Sequence, residues 1–298
     1  PLTRKSDGLP VGCVSGFTNM LFKLTEDLKG DNAPTHMAVV FDYSGKSFRS
    51  EFYPEYKAHR PPAPEDLVPQ FPLTRAATVA FNLPSIEMEG WEADDIIATY
   101  ATMAHAAGGK VTIVSTDKDL MQLVTPDGSI KLLDTLQRPG GPPMRWIGMD
   151  EVKEKFGVSP DKVIEVQALC GDAVDNVPGV PGIGIKTAAE LINAYGDVET
   201  LLSRAGEIKQ PKRRENLIAH AESARVSRRL VELSREVPVE IGLDGLARRP
   251  ILASLAIPFL KAMEFNTFMR RLAGSLEANP DDFAADPALV AKGADGAA

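Results

Sequence analysis

The chain has 298 residues, of which 44% are hydrophobic and 25% charged, and its formal net charge is −8. This composition is that of an ordinary globular protein long enough for two domains. The charge excludes a uniformly basic nucleic-acid binder, and no apolar run approaches the roughly 20 residues that span a membrane. The two cysteines, Cys13 and Cys170, make no disulfide framework, so we expect reduced thiols in a cytoplasmic protein.

The first half of the chain alternates predicted helices and strands. Helical spacing of apolar residues from Phe17 to Leu28 predicts a helix over 14–29. The run 36–42 predicts a buried parallel strand that ends in Asp42. Further helices are predicted over 65–81, with Leu67, Phe71, Ala77 and Phe81 in the core, and over 96–106 and 120–123. Further strands are predicted over 83–87, 110–115 and 129–133. This alternation indicates a mostly parallel α/β sheet flanked by helices, and we place that domain at residues 1–148.

The second half is predicted to be helical. A Pro- and Gly-rich loop at 139–143 separates it from the sheet. Helices are predicted over 149–156, 160–170, 187–195, 198–205 and 213–233, with two or three more before residue 273. Residues 274–298 are rich in Ala, Asp, Gly and Pro, which predicts a disordered linker or tail.

Acidic side chains collect where predicted strands end and helices begin. They are Asp42, then Glu92, Asp94 and Asp95, then Asp117 and Asp119. Open α/β sheets keep their sites at such strand ends, and clustered carboxylates stay ionised together only beside cations. Oxygen ligands with no nearby His or Cys favour Mg²⁺ or Mn²⁺ over zinc. The alternative is a set of surface acids and helix caps, because acids are favoured in the first turn of a helix.

Residues 44–64 differ from their surroundings because they interleave aromatic rings with Lys and Arg. We expect this stretch to be exposed. Basic side chains hold phosphates and aromatic rings stack on bases, so the stretch is a candidate nucleic-acid contact, with a solvated loop as the alternative. The candidate contacts are Arg49, Tyr56, Lys57 and Arg60.

A second constellation spans residues 171–188. Asp172 and Asp175 are three residues apart and share one helix face or one turn. Glycines follow that permit close approach of another backbone, and Lys186 opens a helix whose free N–H groups favour a phosphate. This pattern predicts a hairpin that holds a phosphodiester without reading its sequence. Simple packing of two helices is the alternative. The candidate contacts are Gly182, Gly184, Lys186 and Thr187.

Basic residues outnumber acidic ones in the stretch 204–229, which carries eight Lys or Arg against three Glu. A run of this kind is usually a solvated helical face. Beside a phosphate hairpin it also suits a track for duplex DNA, with Lys212, Arg213 and Arg214 as its candidate contacts.

Six motifs in one order carry a resemblance to a known family. They are the strand end at Asp42, Tyr56–Arg60, Glu92–Asp95, Asp117–Asp119, Gly171–Asn176 and Gly182–Ala188. Together they resemble the 5′-nuclease (flap endonuclease-like) family, most closely the N-terminal 5′→3′ exonuclease domains of bacterial DNA polymerases I, over about residues 1–273. The resemblance implies a PIN-like α/β core with a helical arch at about 44–64, then a helix–three-turn–helix DNA-binding region over 149–273.

The resemblance also implies roles for the candidate residues, beginning with two divalent metal ions. Asp42, Glu92 and Asp94 resemble the residues that bind the family's first metal ion. Asp117, Asp119 and Asp175 resemble those that bind the second, with Asp95 and Asp172 in support. Lys57 and Arg60 resemble the basic residues of the helical arch that contact the scissile phosphate in this family. The hairpin at Gly182, Gly184 and Lys186 resembles one whose carbonyls hold K⁺ on DNA.

The function expected from this resemblance is structure-specific hydrolysis of DNA by a two-metal mechanism, as a 5′→3′ exonuclease and flap endonuclease. The expected substrates are 5′ flaps, nicks, duplexes with 5′ ends, and RNA primers on DNA, in replication and repair. We expect a monomer in the bacterial cytoplasm, associated with the nucleoid and with no membrane, and a C-terminal polymerase domain in the same parent chain.

One departure from the family's pattern concerns the start of the chain. Family members begin with a strand ending in Asp-Gly that supplies a further metal ligand, and this sequence starts after it. We therefore expect a piece of a longer protein with weakened or absent activity. The alternative function is a structure-specific DNA-binding module without chemistry.

Overall fold

A computed structural model describes residues 2–27, 33–43, 45–136 and 144–290. The chain forms two compact units. The first comprises Pro1–Phe41, Pro61–Ile86 and Glu240–Ala298, and the second comprises Asp42–Arg60 and Glu87–Val239. Among the described residues, none of the helices combines the length and the apolar character needed to cross a membrane. The predicted loop at 139–143 and residue Leu28 lie outside the described ranges. The domain boundaries predicted at 148 and 273 stay predictions.

Helices are the main regular elements of the first unit. They are α1 (Gly12–Asp27), α3 (Phe71–Ala80), α11 (Ala253–Ala262) and α12 (Asn266–Ser275). Their apolar sides meet in one core around Val14, Phe81 and Leu260. Two short strands, β1 (Val39–Val40) and β2 (Ser85–Ile86), pair in parallel. Asp42 follows β1 in the sequence and Glu92 follows β2, although β1 has only two residues, both half-buried, where a buried strand over 36–42 is predicted.

The second unit contains a three-stranded sheet. Strand β3 (Val111–Val114) pairs in parallel with β4 (Ile130–Asp134), and β5 (Arg145–Ile147) joins β4 in antiparallel register. Helix α4 (Ala93–Ala106) precedes β3 and packs against it. It is followed by Gly108, whose φ of 79° is a left-handed conformation that glycine adopts at little cost.

Helices are also the main regular elements in the rest of the second unit. A short helix, α2 (Phe48–Phe52), lies near its start. After β5 come α5 (Met149–Phe156), α6 (Val163–Cys170), α7 (Ile185–Tyr195), α8 (Val198–Ser203), α9 (Pro211–Ala219) and α10 (Ala221–Val231). Helix α6 packs against α7, α8 and α10, and its Leu169 is fully buried. The expectation of an α/β core followed by a helical region is confirmed.

The strands differ from the expected arrangement. The sequence predicts one mostly parallel sheet, whereas the described residues form two small sheets. It also does not predict β5, whose three residues are too few to show an alternating pattern. In that strand Trp146 is 50% exposed and Ile147 is 5% exposed.

Two predicted helices are shorter than the sequence suggests. The helix predicted from Glu65 begins at Phe71, after a 3₁₀ turn over Val68–Gln70, because Pro69 and Pro72 lack the N–H that a continuous helix needs. Phe71 is 40% exposed, so its predicted place in the core is wrong. The single helix predicted over 213–233 is two helices, α9 and α10, separated at His220.

The segment 276–290 is folded, which corrects the expectation of a disordered tail for these residues. A 3₁₀ turn spans Pro280–Asp282, and Phe283 and Leu289 pack against the core of the first unit. Lys261 Nζ donates a hydrogen bond to the Phe283 carbonyl at 2.6 Å. A few apolar side chains thus anchor a segment whose overall composition is typical of disorder. Residues 291–298 lie outside the described ranges.

Candidate metal and nucleic-acid site

A cavity of about 140 Å³ in the second unit brings together most of the predicted metal ligands. Six carboxylates line it: Asp42, Glu92, Asp94, Asp117, Asp119 and Asp175. The basic side chains at its wall are Arg49, Lys57 and Arg60, beside Tyr56 and a few apolar residues. Two strand ends, a helix start and a loop between helices therefore supply one site.

The turn after β3 positions Asp117 and Asp119. Asp117 N donates to Ser115 Oγ at 3.0 Å, and Asp119 N donates to Asp117 Oδ1 at 2.9 Å. Such local side-chain-to-backbone bonds are typical of Ser and Asp at turns. A 3₁₀ turn over Asp119–Leu123 follows, with Leu120 fully buried. The buried leucine anchors the turn from which Asp119 extends.

The amino end of α4 positions Glu92 and Asp94. Glu92 is the N-cap residue of the helix. Ala93 N donates to Asp42 Oδ1 at 2.8 Å. The unpaired N–H groups at a helix start favour carboxylates. This bond therefore holds Asp42, which follows strand β1, beside Glu92 and Asp94.

Like charges repel one another at the centre of the cavity. Burial raises the pKa of Asp94 well above its ordinary value, and four neighbouring carboxylates raise it further. Burial and the charge of Asp117 raise the pKa of Asp119 to about 6, although Lys118 and a hydrogen bond from Gln167 act in the opposite direction. Carboxylates arranged in this way stay ionised together only when a cation is added.

Basic side chains neutralise two of the carboxylates. Lys57 Nζ lies 2.7 Å from Glu92 Oε2 and 3.8 Å from Asp175 Oδ2, and Arg60 pairs with Asp175. Burial would raise the pKa of Glu92, but the charges of Lys57 and a neighbouring arginine hold it below its ordinary value. Both predicted phosphate contacts therefore lie at the cavity, and both bond to predicted metal ligands.

Asp172 has partners of its own and is not among the residues that line the cavity. Its carboxylate pairs with Lys118 and accepts a hydrogen bond from Val174 N at 2.8 Å. The same turn carries Asp175. Asp172 therefore fixes the turn that presents Asp175, a position consistent with the supporting place predicted for it.

The carboxylates do not yet form a closed metal site. Within the described ranges, no three His, Cys, Asp or Glu side chains are placed to hold one ion together. The chemistry of the donor set nevertheless fits a hard divalent cation, because the acids that line the cavity offer only oxygen and none of its lining residues is His or Cys. The repulsion at Asp94 is also of the kind that a divalent cation relieves.

Two predicted site residues are instead partners in a buried ion pair. Arg49 is 1% exposed and Asp95 is 0% exposed. Their atoms meet in a two-pronged contact, with Nη1 to Oδ2 at 2.7 Å and Nη2 to Oδ1 at 2.8 Å. Asp95 also accepts from Ser234 N at 2.8 Å, and Arg49 Nε donates to the Leu230 carbonyl at 2.7 Å. The expected exposure of Arg49 to DNA is therefore wrong, and the supporting metal role predicted for Asp95 stays a prediction.

Tyr56 is buried as well, which corrects its assignment as an exposed stacking ring. It is 7% exposed and packs with Leu230 and Val231. Its hydroxyl donates to Glu92 Oε2 at 3.2 Å, and burial together with the charge of Glu92 raises its pKa. Residues 44–64 are therefore not exposed throughout. The neighbouring Lys57 has a φ of 56°, a strained conformation of the kind found at functional sites.

The predicted phosphate hairpin connects α6 and α7. Gly171 and Gly179 both have positive φ and approach so closely that a Cβ on Gly179 would lie 2.5 Å from Gly171 N. Two serines of α10 fasten the loop: Ser227 Oγ accepts from Gly179 N, and Ser223 Oγ donates to the Gly179 carbonyl, each at 2.8 Å. The motif carries no signal for these serines, because they lie more than 40 residues away in the chain.

The tip of the hairpin leads into α7. Gly182 has a φ of 78°, and Gly184 is the N-cap residue of the helix. Lys186 and Thr187 lie in the first turn of α7. Gly182, Gly184 and Lys186 are exposed. The structure therefore presents an open helix start with a lysine beside it.

Ion pairs neutralise part of the basic stretch 204–229. Three of its arginines contact glutamates: Arg204, Arg225 and Arg228. Lys212 and Arg213, in the first turn of α9, form no ion pair with any residue that the structure describes. Arg214 Nη1 donates to the Ile208 carbonyl at 3.1 Å. The unneutralised basic surface therefore centres on the start of α9.

Family models match along most of the chain. One described as 5′-3′ exonuclease, N-terminal resolvase-like domain, matches residues 1–157, and one described as 5′-3′ exonuclease, C-terminal SAM fold, matches residues 158–253. The chain belongs to the 5′-3′ exonuclease family. The resemblance that the six motifs indicate is thereby confirmed.

Known proteins extend this comparison. The DNA polymerase I of Rhizobium leguminosarum is 54% identical over 97% of this exonuclease-family chain, which spans only 28% of the polymerase. A structure of bacteriophage T5 5′-exonuclease with bound zinc has a TM-score of 0.60 at 25% identity, covering 77% of this chain and 83% of that one. The T5 D15 flap endonuclease, in complex with DNA and metal ions, has a TM-score of 0.59 at 23% identity, covering 90% and 92%. The last likeness shows the fold alone.

Proposed function

We propose that the chain is a nuclease domain that hydrolyses DNA phosphodiester bonds at 5′ ends and at 5′ flaps, with divalent metal ions. The observation that carries the proposal is the cavity in which six carboxylates converge beside Lys57 and Arg60. Family membership supports it, as do the metal ions bound in the T5 5′-exonuclease.

The proposed cofactors are two Mg²⁺ or Mn²⁺ ions held by the carboxylates that line the cavity. Asp42, Glu92 and Asp94 would hold one ion, and Asp117, Asp119 and Asp175 would hold the other. When bound, such a pair of ions activates water for attack and stabilises the leaving oxygen.

Lys57 and Arg60 are the proposed catalytic residues of the arch, and they act through their positive charge. Each now bonds to a carboxylate, Lys57 to Glu92 and Arg60 to Asp175. A phosphate that enters the cavity competes for the same two charges. Their positive charge then offsets the negative charge that builds on the phosphate during attack.

Binding of the DNA backbone is assigned to the hairpin and to the start of α9. The open start of α7 and the exposed Lys186 suit a phosphate, with Gly182, Gly184 and Thr187 beside it. The hairpin carbonyls are the proposed K⁺ site. Lys212, Arg213 and Arg214 supply a second contact. Backbone contacts carry no base information, so the domain should select the shape of its substrate.

The wider role follows from the polymerase relatives. We infer that the domain removes RNA primers and trims flaps and nicks in replication and repair, as a monomeric unit of a DNA polymerase I with a polymerase domain in the same parent chain. The bacterial cytoplasm, at the nucleoid, is the corresponding compartment.

The test compares cleavage with binding. Asp117→Ala and Asp119→Ala should abolish cleavage of a flap substrate in Mg²⁺ and leave gel-shift affinity in Ca²⁺ nearly unchanged, because these acids hold metal rather than DNA. Glu89→Gln, at an exposed acid close to Glu92 in the sequence, is the control and should cleave normally. Near wild-type cleavage by Asp119→Ala would refute the metal assignment. No cleavage by the unaltered chain would favour a DNA-binding module without chemistry.

A further inference from the structure

We propose that Gln167 is a positioning residue for the second metal site, which it serves by fixing the carboxylate of Asp119. The inference rests on the proposed function. Gln167 lies on α6 and is 1% exposed. Its Nε2 donates to Asp119 Oδ1 at 2.5 Å. No sequence motif includes this glutamine, since it precedes the Gly171–Asn176 segment and sits among apolar residues.

The other end of the same amide shows that this hydrogen bond is not incidental. Gln167 Oε1 is buried, and among the described residues it is the one buried side-chain oxygen or nitrogen without a hydrogen-bond partner. An unmet buried acceptor costs folding free energy. Rotating the amide would not remove the cost, because Oε1 would then face the carboxylate of Asp119, with acceptor against acceptor.

The surroundings of Gln167 would suit an apolar side chain. Val163, Val166 and Leu169 on the same helix are all 0% exposed and belong to the main core of the second unit. A residue that only filled this space would need no amide. We infer that the glutamine is present because its N–H group donates to Asp119, although its oxygen is left without a hydrogen-bond partner.

The hydrogen bond leaves one carboxylate oxygen of Asp119 for an ion. Gln167 Nε2 donates a hydrogen bond to Oδ1, and Lys118 Nζ lies 3.7 Å from the same oxygen. Oδ2 is then the oxygen available to coordinate a cation, in an orientation already fixed before the ion arrives. Partners of this kind hold metal ligands in place, and their removal typically weakens metal binding by about 10- to 100-fold.

The experiment replaces Gln167 by methionine, which is similar in length and has no N–H donor. Mn²⁺ serves as the probe, with binding followed by electron paramagnetic resonance in the absence of DNA. We expect Gln167→Met to bind the second, more weakly held Mn²⁺ ion about tenfold less tightly than the wild type does. Its melting temperature in chelator should equal or exceed that of the wild type, because the unmet oxygen is gone.

Gln70→Met is the matched control, because Gln70 is a buried glutamine of the first unit with both ends satisfied. Its Oε1 accepts from Cys13 N and Val14 N, and its Nε2 donates to the Asp66 carbonyl. This variant should melt at a lower temperature and bind Mn²⁺ like the wild type. A positioning role also predicts that saturating Mg²⁺ restores flap cleavage by Gln167→Met, with the half-saturating concentration raised about tenfold.

Two results would overturn the inference while the proposed function stands: Mn²⁺ affinity of Gln167→Met within twofold of a wild type that binds and cleaves, or a melting temperature as low as that of Gln70→Met. If the wild type itself neither binds Mn²⁺ nor cleaves, the proposed function fails, and the inference fails with it.

Discussion

At the scale of single residues, the buried ion pair of Arg49 and Asp95 should have a large effect on folding. The pair is fully buried and two-pronged, so removing one partner leaves the other charge unpaired in the interior. We expect Arg49→Met to lower the free energy of unfolding by about 3–5 kcal/mol. The double variant Arg49→Met/Asp95→Leu should be less destabilised than the single one, because it removes both charges.

Urea unfolding of the metal-free protein measures this effect. Arg145→Met is the control: Arg145 and Glu154 form an ion pair with 48% and 76% of their side chains exposed, and an exposed pair contributes at most about 1 kcal/mol. Equal losses in Arg49→Met and Arg145→Met would show that the buried pair does not stabilise α2 against α4.

The same pair shows how far the sequence determines a site at this scale. Asp42 and Asp117 are predictable because each follows an apolar run that predicts a strand, and strand ends place acids together. The partner of Arg49 lies 46 positions away, and nothing in the local alternation of basic and aromatic residues separates a buried arginine from an exposed one. Burial of Tyr56 and the bond from Gln167 to Asp119 escape prediction for the same reason.

Among the elements, the hairpin between α6 and α7 depends on a close contact of two glycines. A Cβ on Gly179, whose φ is 60°, would lie 2.5 Å from Gly171 N. Gly179→Ala should therefore destabilise the protein by about 1 kcal/mol or more and weaken DNA binding. Gly206→Ala, which has open space around it, serves as the control. The measurement is the melting temperature of each variant. Equal melting temperatures of Gly179→Ala and Gly206→Ala would contradict the close-contact argument.

The start of α7 makes a separate prediction about DNA. Lys186→Ala should weaken binding to flaps and nicked duplexes of every sequence alike, and should reduce the slope of log affinity against log salt by about one unit. Lys155→Ala, at an exposed lysine on α5, should leave the slope unchanged. Binding titrations at several salt concentrations measure both. A loss that depends on base sequence would rule out a phosphate contact.

Elements are predictable from the sequence where a periodic pattern has marked ends. Helix α5 begins and ends where its pattern predicts, at Met149 and Phe156, because two turns of amphipathic spacing are bounded by glycines. Strand β5 has three residues and no visible period. The break between α9 and α10 at His220 carries no Gly or Pro to mark it.

For the molecule as a whole, contacts group the site differently from composition. Composition separates an α/β half from a helical half near residue 148, which puts Asp117 and Asp175 in different domains. The contacts place both in the second unit, Asp42–Arg60 and Glu87–Val239. The hairpin and the start of α9 belong to that unit too. The site is therefore assembled within one folded body, from segments that composition alone would divide.

The stability of the whole molecule should depend on pH through Asp119. Its pKa is about 6 in the folded chain against an ordinary value of 3.8. Between these values the native state binds more protons than the unfolded state, so the free energy of unfolding falls as pH rises. The stabilising contribution is complete below about pH 4 and is lost as pH rises through about 6. It amounts to at most about 3 kcal/mol.

Urea unfolding from pH 4 to pH 7 in the presence of chelator tests this dependence. Asp119→Asn should reduce the decline, because the amide does not titrate, and the part that remains should come from Asp94, whose pKa is also raised. Asp127→Asn is the control and should retain it, since hydrogen bonds from Thr125 and Ser129 lower the pKa of Asp127 and its titration falls below this range. Mg²⁺ should oppose the decline in the wild type by favouring the ionised carboxylates. Parallel pH profiles for the wild type and Asp119→Asn would mean that the charge of Asp119 is already balanced within the fold, and the argument for a cation at that carboxylate would lose its electrostatic basis.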